Sequence, residues 1–569
     1  MRAGVTCEEI VTSEQYLDLV FQGEVNQDVD DLLMSIGDVC SQPIGNDYLL
    51  LFLHKEEYIS AQAIYSLFRL SRVPLLYGLC ADTSALQASG IIQLGQLAQE
   101  PLTGAGVVIA IIDTGVTYQH PAFIREDGSS KILAAWDQTN WQNTPPSGFL
   151  FGTEYTREDF NAALASDHPL EVVPMRDEIG HGTQIAGIAA GMPDFAQDFS
   201  GAAPGADLIV VKLKPAKQNL RQFYQVSEDA IAYQHTDVIQ GIEYAVERAK
   251  GRPLIVLCGL GTNMGAHDGT MGLEQYLPTL AQREGVGAFV AAGNEGNKSK
   301  HMSGTFPTGQ NGSVEEIEFF VAEGEAGLSL FIWNYAPDQM SISITSPRGY
   351  TVERLPVAVG SLYDFPLPSE RTRVFVRYYL QTEGSGDQCI SVKLQDPTPG
   401  LWRINLYGDI ILNGRYDAWL PLSNWSQPET RFLRPDPYTT VTVPSTDEGV
   451  ITIGGYNHLS QSLYEATGRG PTRGQRLKPT IVAPAVGIYG PSGLDGYTPM
   501  TGTSAAAAIA AGAGAQMMEW GILLGNQRTM NTTIMKTYLI RGADRKSGIV
   551  YPNNEWGYGQ LNVLRSLEL

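Results

Sequence analysis

A chain of 569 residues exceeds what one hydrophobic core usually holds, so two to four domains are expected. Its 61 acidic against 38 basic residues give a formal charge of −23, spread along the chain, which argues against a nucleic acid or an anionic membrane as the main partner. Five cysteines, Cys7, Cys40, Cys80, Cys258 and Cys389, are odd in number, too few for a disulfide framework and free of metal-type Cys-x-x-Cys spacing, so free thiols are expected.

Residues 1–15 carry Glu8, Glu9 and Glu14 and no apolar run of seven, so no secretory signal is read. No stretch is long enough to span a bilayer, and an intracellular location is expected. Residues 1–81 form a compact α/β unit in this reading: 48–53 is an apolar run of strand length, and 57–71 places Tyr58, Ala61, Ile64, Tyr65 and Phe68 at helical spacing.

From Thr103 an alternation begins. Residues 107–112 have the pattern of a buried strand ending at Asp113, 208–213 of a second, 254–257 of a third and 288–292 of a fourth, while 238–249 puts Ile239, Ile242 and Val246 on one helical face. Strands separated by helices imply right-handed crossovers and a mainly parallel sheet, whose working groups sit at strand carboxyl ends, where Asp113 and Asn294 fall. Residues 319–321, 328–333, 341–344, 373–376 and 402–406 are then short β-type runs with no helical period, separated by Gly, Pro and Asp, which predicts an inserted β-sandwich or jelly roll at 310–443. The sheet resumes with 450–454 and 478–484, and Ser504 opens an Ala-rich helix over 505–518. The predicted domains are 1–81, 82–309, 310–443 and 444–569, the second and fourth being two parts of one α/β unit.

Three segments far apart carry the chemistry: Ile111-Ile112-Asp113-Thr114-Gly115, Gly180-His181-Gly182-Thr183 and Gly502-Thr503-Ser504-Ala505-Ala506. A serine is a poor nucleophile at neutral pH; it needs an imidazole to take its proton and a carboxylate to hold that imidazole in the right tautomer. The order Asp, His, Ser is that of subtilisin, not of chymotrypsin or the α/β-hydrolases. A fourth segment, Ala291-Ala292-Gly293-Asn294-Glu295-Gly296, lies between the His and the Ser.

In these four segments the chain resembles the subtilisin-like serine proteases, or subtilases, whose fold is a three-layer α/β/α core around a mainly parallel sheet. The resemblance implies that Ser504 is the nucleophile, His181 the general base and then acid, Asp113 its orienting carboxylate, and Asn294 the side-chain donor of the oxyanion hole. Cys258-Gly259-Leu260-Gly261 stands where the family has a Ser-Leu-Gly strand, so Gly259, Leu260 and Gly261, with Ala292 and Gly293, are the implied substrate-binding residues. Gly259 in place of the usual Ser leaves the preference for the residue before the scissile bond open. The N-terminal unit resembles the family's propeptide, a partner in the form of an intramolecular inhibitor, with cleavage expected near 79–86; the bland reading is an unprocessed domain.

A subtilase with such a unit, an insert at this point and no signal resembles the clostridial Csp germination proteases, and the segment from Gly261 to Gly269 strengthens that likeness. It implies a spore-associated serine endopeptidase whose protein substrate is the zymogen of a cortex-lytic enzyme. Two other readings stay open: another regulatory or nutritional subtilase, and a pseudoprotease acting as a germinant-sensing scaffold, against which the complete triad speaks. Of the remaining histidines, His120 before Pro121 reads as a structural turn, and His267 with Asp268 supplies too few ligands for a metal site. No cofactor is expected; no EF-hand-type ladder occurs, and a structural calcium held by loop carbonyls leaves no sequence signature.

Overall fold

The computed structural model describes residues 16–22, 39–44, 48–54, 71–72, 84–97, 101–358, 362–382 and 384–567. Contacts divide the chain into two compact units, Met1–Leu79 and Cys80–Leu569. In the first, Tyr16–Gln22, Val39–Ile44, Tyr48–His54 and Ser71–Arg72 form one antiparallel sheet, with Tyr48–His54 and Tyr16–Gln22 at its centre. The helix expected over 57–71 and most of the cleavage region at 79–86 lie outside the described residues.

The second unit is built on a nine-stranded sheet. Its strands are β1 (Val108–Asp113), β2 (Ile132–Asp137), β3 (Thr153–Thr156), β4 (Asp207–Lys212), β5 (Leu254–Cys258), β6 (Val286–Ala291), β7 (Ile451–Asn457), β8 (Ser462–Leu463) and β9 (Ile481–Pro484). They run in the order β8-β7-β6-β5-β1-β4-β2-β3, with β9 also paired to β7; only the β2–β3 and β7–β8 pairs are antiparallel. β1 shows why the sheet must be covered on both faces: all six of its residues are buried. Because strand side chains alternate, Ile109 and Ile111 join the layer of α1 (His181–Ala190) and α3 (Thr503–Met518), while Val108, Ala110 and Ile112 meet α2 (His235–Ala249) on the other face. All 16 residues of α3 are buried. Its glycines allow that approach, since a Cβ on Gly512 would lie 2.4 Å from the Ala202 Cβ, and one on Gly514 2.5 Å from Phe289 Cε2.

Between β6 and β7 stands a β-sandwich of two antiparallel sheets. One has the order His301–Thr305, Arg415–Trp419, Gly327–Asn334, Cys389–Gln395, Arg373–Tyr379, Leu362–Pro366; the other Thr351–Leu355, Gln339–Thr345, Gly400–Ile410, Val314–Val321, Arg431–Phe432. Their inner faces share a core that includes Phe319, Ile332, Val376, Trp402 and Phe432. The sandwich takes in His301–Thr305, ahead of residue 310, because that strand pairs with Arg415–Trp419; reading His-Met-Ser-Gly-Thr, it has no apolar run to betray it in the sequence. Its last strand ends at Phe432, and the segment after it returns to the α/β sheet, where Thr442 donates to the Ala292 carbonyl at 3.0 Å. Cys258 and Cys389 are buried free thiols, and burial pushes the Cys258 thiol up to about 11. Among the described residues no helix is long and apolar enough to cross a membrane.

Candidate active site

Asp113 is the last residue of β1 and is fully buried. Its Oδ1 accepts the Thr114 N–H at 2.8 Å and faces His181 Nδ1 at 2.7 Å, whereas its Oδ2 is buried with no partner. His181 opens α1. The turn before it is held by Asp177, which accepts the Gly180 and Thr183 N–H groups, each at 2.8 Å, and the Thr183 hydroxyl at 2.6 Å, so a carboxylate satisfies the first N–H groups of the helix. The flanking glycine has a reason: a Cβ on Gly182 would lie 2.2 Å from the Gly115 carbonyl oxygen. Its N–H instead reaches Thr114 Oγ1 at 2.8 Å, which docks α1 on the end of β1. Burial opposes a charge on the His181 ring, but the charge and hydrogen bond of Asp113, with Asp177 behind, outweigh it and hold the imidazole above its ordinary range.

Ser504, the second residue of α3, is 6% exposed and donates its hydroxyl to the Gly259 carbonyl at 3.2 Å. Gly259 follows β5 and is the point on which the three side chains converge. A Cβ placed there would be 3.1 Å from His181 Cε1, 3.4 Å from Asp113 Oδ2 and 3.4 Å from Ser504 Oγ. Thus the Asp, His and Ser of three distant segments meet in one place. Asn294 lies just beyond β6, with its Oδ1 accepting the Thr503 N–H at 3.0 Å and the Thr503 hydroxyl at 3.2 Å. That anchoring spends the carbonyl end of the amide and leaves Nδ2 as the end with protons to offer. Thr503 Oγ1 also accepts the Gly293 N–H at 3.1 Å.

The other implied substrate-binding residues follow the ends of β5 and β6. Leu260 packs against the sheet core, Gly261 follows it, and Ala292 is buried with its carbonyl taken by Thr442. Gly293 has φ +91°, a left-handed conformation suited to glycine. Thr503, Asp177 and Thr114 carry the geometry, yet the sequence pattern assigns none of them a role, because each acts only by anchoring a neighbour; a Thr directly before the Ser, and an Asp three residues before the helix cap, are the only traces. His267 and Asp268 prove to be separately engaged. The His267 ring stacks on Trp419 at 4.2 Å with its nitrogens facing the Val441 and Asn263 carbonyls, while Asp268 pairs with Arg473 at 2.9 Å. His120 accepts the Ala122 N–H at 3.1 Å and holds the turn after β1. Among the described residues no cluster of His, Cys, Asp or Glu could hold a metal ion.

A serine, an imidazole and a buried carboxylate converging at the strand ends of a three-layer α/β/α core are the features of a subtilase. Residues 104–317 and 434–559 match the profile described as the subtilase family, and the chain belongs to that family. Among solved structures it is similar to the CspB protease of Clostridium perfringens, with 30% identity, a TM-score of 0.75, and coverage of 86% of this chain and 99% of that one. It is 28% identical over 194 residues to thermitase of Thermoactinomyces vulgaris, covering 34% of this chain and 50% of that protein. It is 24% identical over 494 residues to the minor extracellular protease Vpr of Bacillus subtilis (strain 168), covering 82% of this chain and 52% of that protein. The chain therefore spans about half the length of these two relatives.

Proposed function

We propose that this chain is a serine endopeptidase that acts by limited proteolysis, and that its natural substrate is the zymogen of a cortex-lytic enzyme cleaved during spore germination. The observation that carries the chemistry is the convergence of Asp113, His181 and Ser504 beside Gly259. In the reaction the Ser504 hydroxyl turns from the Gly259 carbonyl to His181 Nε2 and attacks the scissile carbonyl as the ring takes its proton. The charge that develops on the carbonyl oxygen is met by Asn294 Nδ2 and by the Ser504 N–H at the start of α3. His181 then gives its proton to the leaving amine, and water hydrolyses the acyl-enzyme by the reverse sequence. Asp113 keeps Nδ1 protonated and oriented throughout. Each step uses only these groups, the substrate and water.

The likeness to the CspB protease over 86% of the chain supports the choice of substrate, and the N-terminal unit fits an inhibitor released by self-cleavage. The test is to incubate wild type and Ser504→Ala with a cortex-lytic zymogen. One defined cut that requires Ser504 is expected; an uncut zymogen, alongside cleavage of other proteins, would remove the germination substrate and keep the peptidase.

A further inference from the structure

At the amino ends of the parallel strands, away from the catalytic groups at their carboxyl ends, three guanidiniums converge on one carboxylate. Asp207 is the first residue of β4 and pairs with Val108 at the start of β1, the strand that ends in Asp113. At about 3.3 Å per residue the two aspartates are roughly 17 Å apart, so the cluster lies outside the cleft. Asp207 Oδ1 is shared by Arg125 Nη2 and Arg157 Nη2, the latter at 2.8 Å, and its Oδ2 pairs with Arg252 Nη2 at 2.7 Å. The three arginines arrive from separate places: Arg125 from the turn before β2, Arg157 from the first position of the helix Arg157–Leu164, and Arg252 from the approach to β5.

Arginine keeps its charge at any physiological pH, so two of these three charges have no counter-ion. Among the described residues no other carboxylate is within ion-pairing distance of them. Glu126 and Glu158, their chain neighbours, are exposed and pair with none of the three, and Asp127 spends Oδ1 on the Ser129 N–H and hydroxyl, at 2.9 and 2.6 Å. A fourth cation stands behind. Lys131 is 1% exposed, with its ammonium against the Pro204 carbonyl and 3.6 Å from Met192 Sδ; burial first, and the Arg125 charge next, hold it down to about 7. In a chain of net charge −23 this surplus is local, and like-charge repulsion makes it costly. The cluster also holds donors that one carboxylate cannot satisfy. Arg157 Nε is buried with no partner, and the three side chains are 27%, 25% and 32% exposed, so a solute reaches their outer edges.

We propose that Arg125, Arg157 and Arg252 form a binding site for a phosphate dianion, either free or as the monoester of a small molecule. Two unmatched positive charges complement the charge of a phosphate monoester at neutral pH, and its oxygens accept the paired N–H groups that a guanidinium presents. The bound group bridges the turn before β2, the helix after β3 and the approach to β5, and so stabilises the amino ends of the sheet. The site goes beyond the peptidase reading and uses none of the residues that carry it.

The test uses the full chain with Ser504→Ala, to prevent self-cleavage, at about pH 8, where phosphate is a dianion. It is titrated calorimetrically, at constant ionic strength in chloride, with inorganic phosphate and separately with glycerol 3-phosphate. One site per chain is expected, with a rise in melting midpoint that chloride at the same ionic strength does not give. Arg157→Gln and Arg252→Gln are each expected to weaken binding at least about tenfold. Asp207→Asn takes away the competing carboxylate. Its melting midpoint is expected to fall in chloride, and phosphate to raise that midpoint further than it raises that of the chain with Asp207 in place. The fall without the rescue overturns the proposal and leaves a hub of ion pairs. Binding of the ester alone assigns the site to an esterified phosphate, and binding of both probes to phosphate itself. Binding of neither, or binding that neither arginine variant weakens, overturns the proposal; the first of these is decided on the intact cluster, with no variant of it having to fold.

Discussion

His181 sits between two opposing influences, burial and the Asp113 charge, and the second wins. Its proton affinity therefore lies above the ordinary value of about 6.5. A general base must be neutral, so kcat/KM is expected to fall as pH drops through a value above about 6.5. Asp113→Asn removes the nearer of the two charges and leaves burial opposed by Asp177 alone, which moves this limb to lower pH. It also presents the wrong tautomer to Ser504, and a loss on the order of 10⁴ in kcat is expected. Rate profiles of the two proteins between pH 5 and 9 check both the direction and the size; an unmoved limb would take His181 out of the base's place. Gly259 admits a second test. Its missing Cβ would stand 3.1 Å from His181 Cε1, closer than ordinary van der Waals contact, so Gly259→Ala must push the ring by a few tenths of an ångström. A fall in kcat on the order of tenfold is expected, smaller than the hundredfold that a full ångström of misplacement brings.

At the scale of elements, the site is assembled from two junctions: α1 docked on the end of β1, and the start of α3 docked on the loop after β6. Asn294 belongs to the second. Asn294→Ala is expected to lower kcat by 10²- to 10³-fold, about 2.7–4 kcal/mol of transition-state stabilisation, with KM little changed. Thr503→Val removes the hydroxyl that binds both Asn294 Oδ1 and the Gly293 N–H, and is expected to cost about 1 kcal/mol in kcat/KM. If the two variants lost equally, the Asn294 amide would be acting through its anchor and not as a donor in its own right. These junctions also show what a sequence discloses. Asp113, His181 and Ser504 were legible because their chemistry confines the neighbours: Gly182 must clear the Gly115 carbonyl, and α3 must be small-sided to bury all 16 residues. β1, β4, β5 and β6 were legible for a similar reason, since a parallel strand covered on both faces is apolar throughout. Thr442 and the strand His301–Thr305 were not. Their partners lie far away in the chain, and no local pattern marks a side chain whose importance is where it ends up.

At the scale of the second unit, the sandwich and the α/β core meet at a buried cation. Arg473, 1% exposed, follows β8 in the chain, and its guanidinium donates to the Ala266 carbonyl at 2.7 Å, to Asp268 at 2.9 Å, to Ser385 at 3.0 Å and to Asp387 at 2.5 Å. It also lies over the rings of Trp333 and Tyr335. Asp268 belongs to the α/β core, whereas Ser385, Asp387, Trp333 and Tyr335 belong to the sandwich, so the two bodies are joined through a group that water does not reach. A second tie runs from Glu295, beside Asn294, to the Ser423 hydroxyl at 2.8 Å. The sandwich is thus fastened to the segments that continue from the ends of β5 and β6, and we expect it to act as a rigid brace rather than a mobile appendage. Wild type is expected to release its N-terminal unit by self-cleavage near residues 79–86, which N-terminal sequencing would locate, while Ser504→Ala stays whole; equal cleavage of both would show another protease at work.

Arg473→Met tests the brace itself. Removing one partner of a buried ion cluster leaves Asp268 and Asp387 facing each other uncompensated, a loss of about 3–5 kcal/mol. The expected result is a lower melting midpoint and release of the sandwich by trypsin under conditions where wild type resists. Because Asp268 lies seven residues beyond Gly261, KM for a peptide should also rise, more than kcat falls. Adding Asp268→Asn and Asp387→Asn to the same chain removes the stranded charges, and should recover much of the stability without restoring the link between the two bodies. KM would then stay high while the melting midpoint returns. If KM recovered in step with stability, the brace would be a matter of folding alone and would have no hold on the substrate cleft.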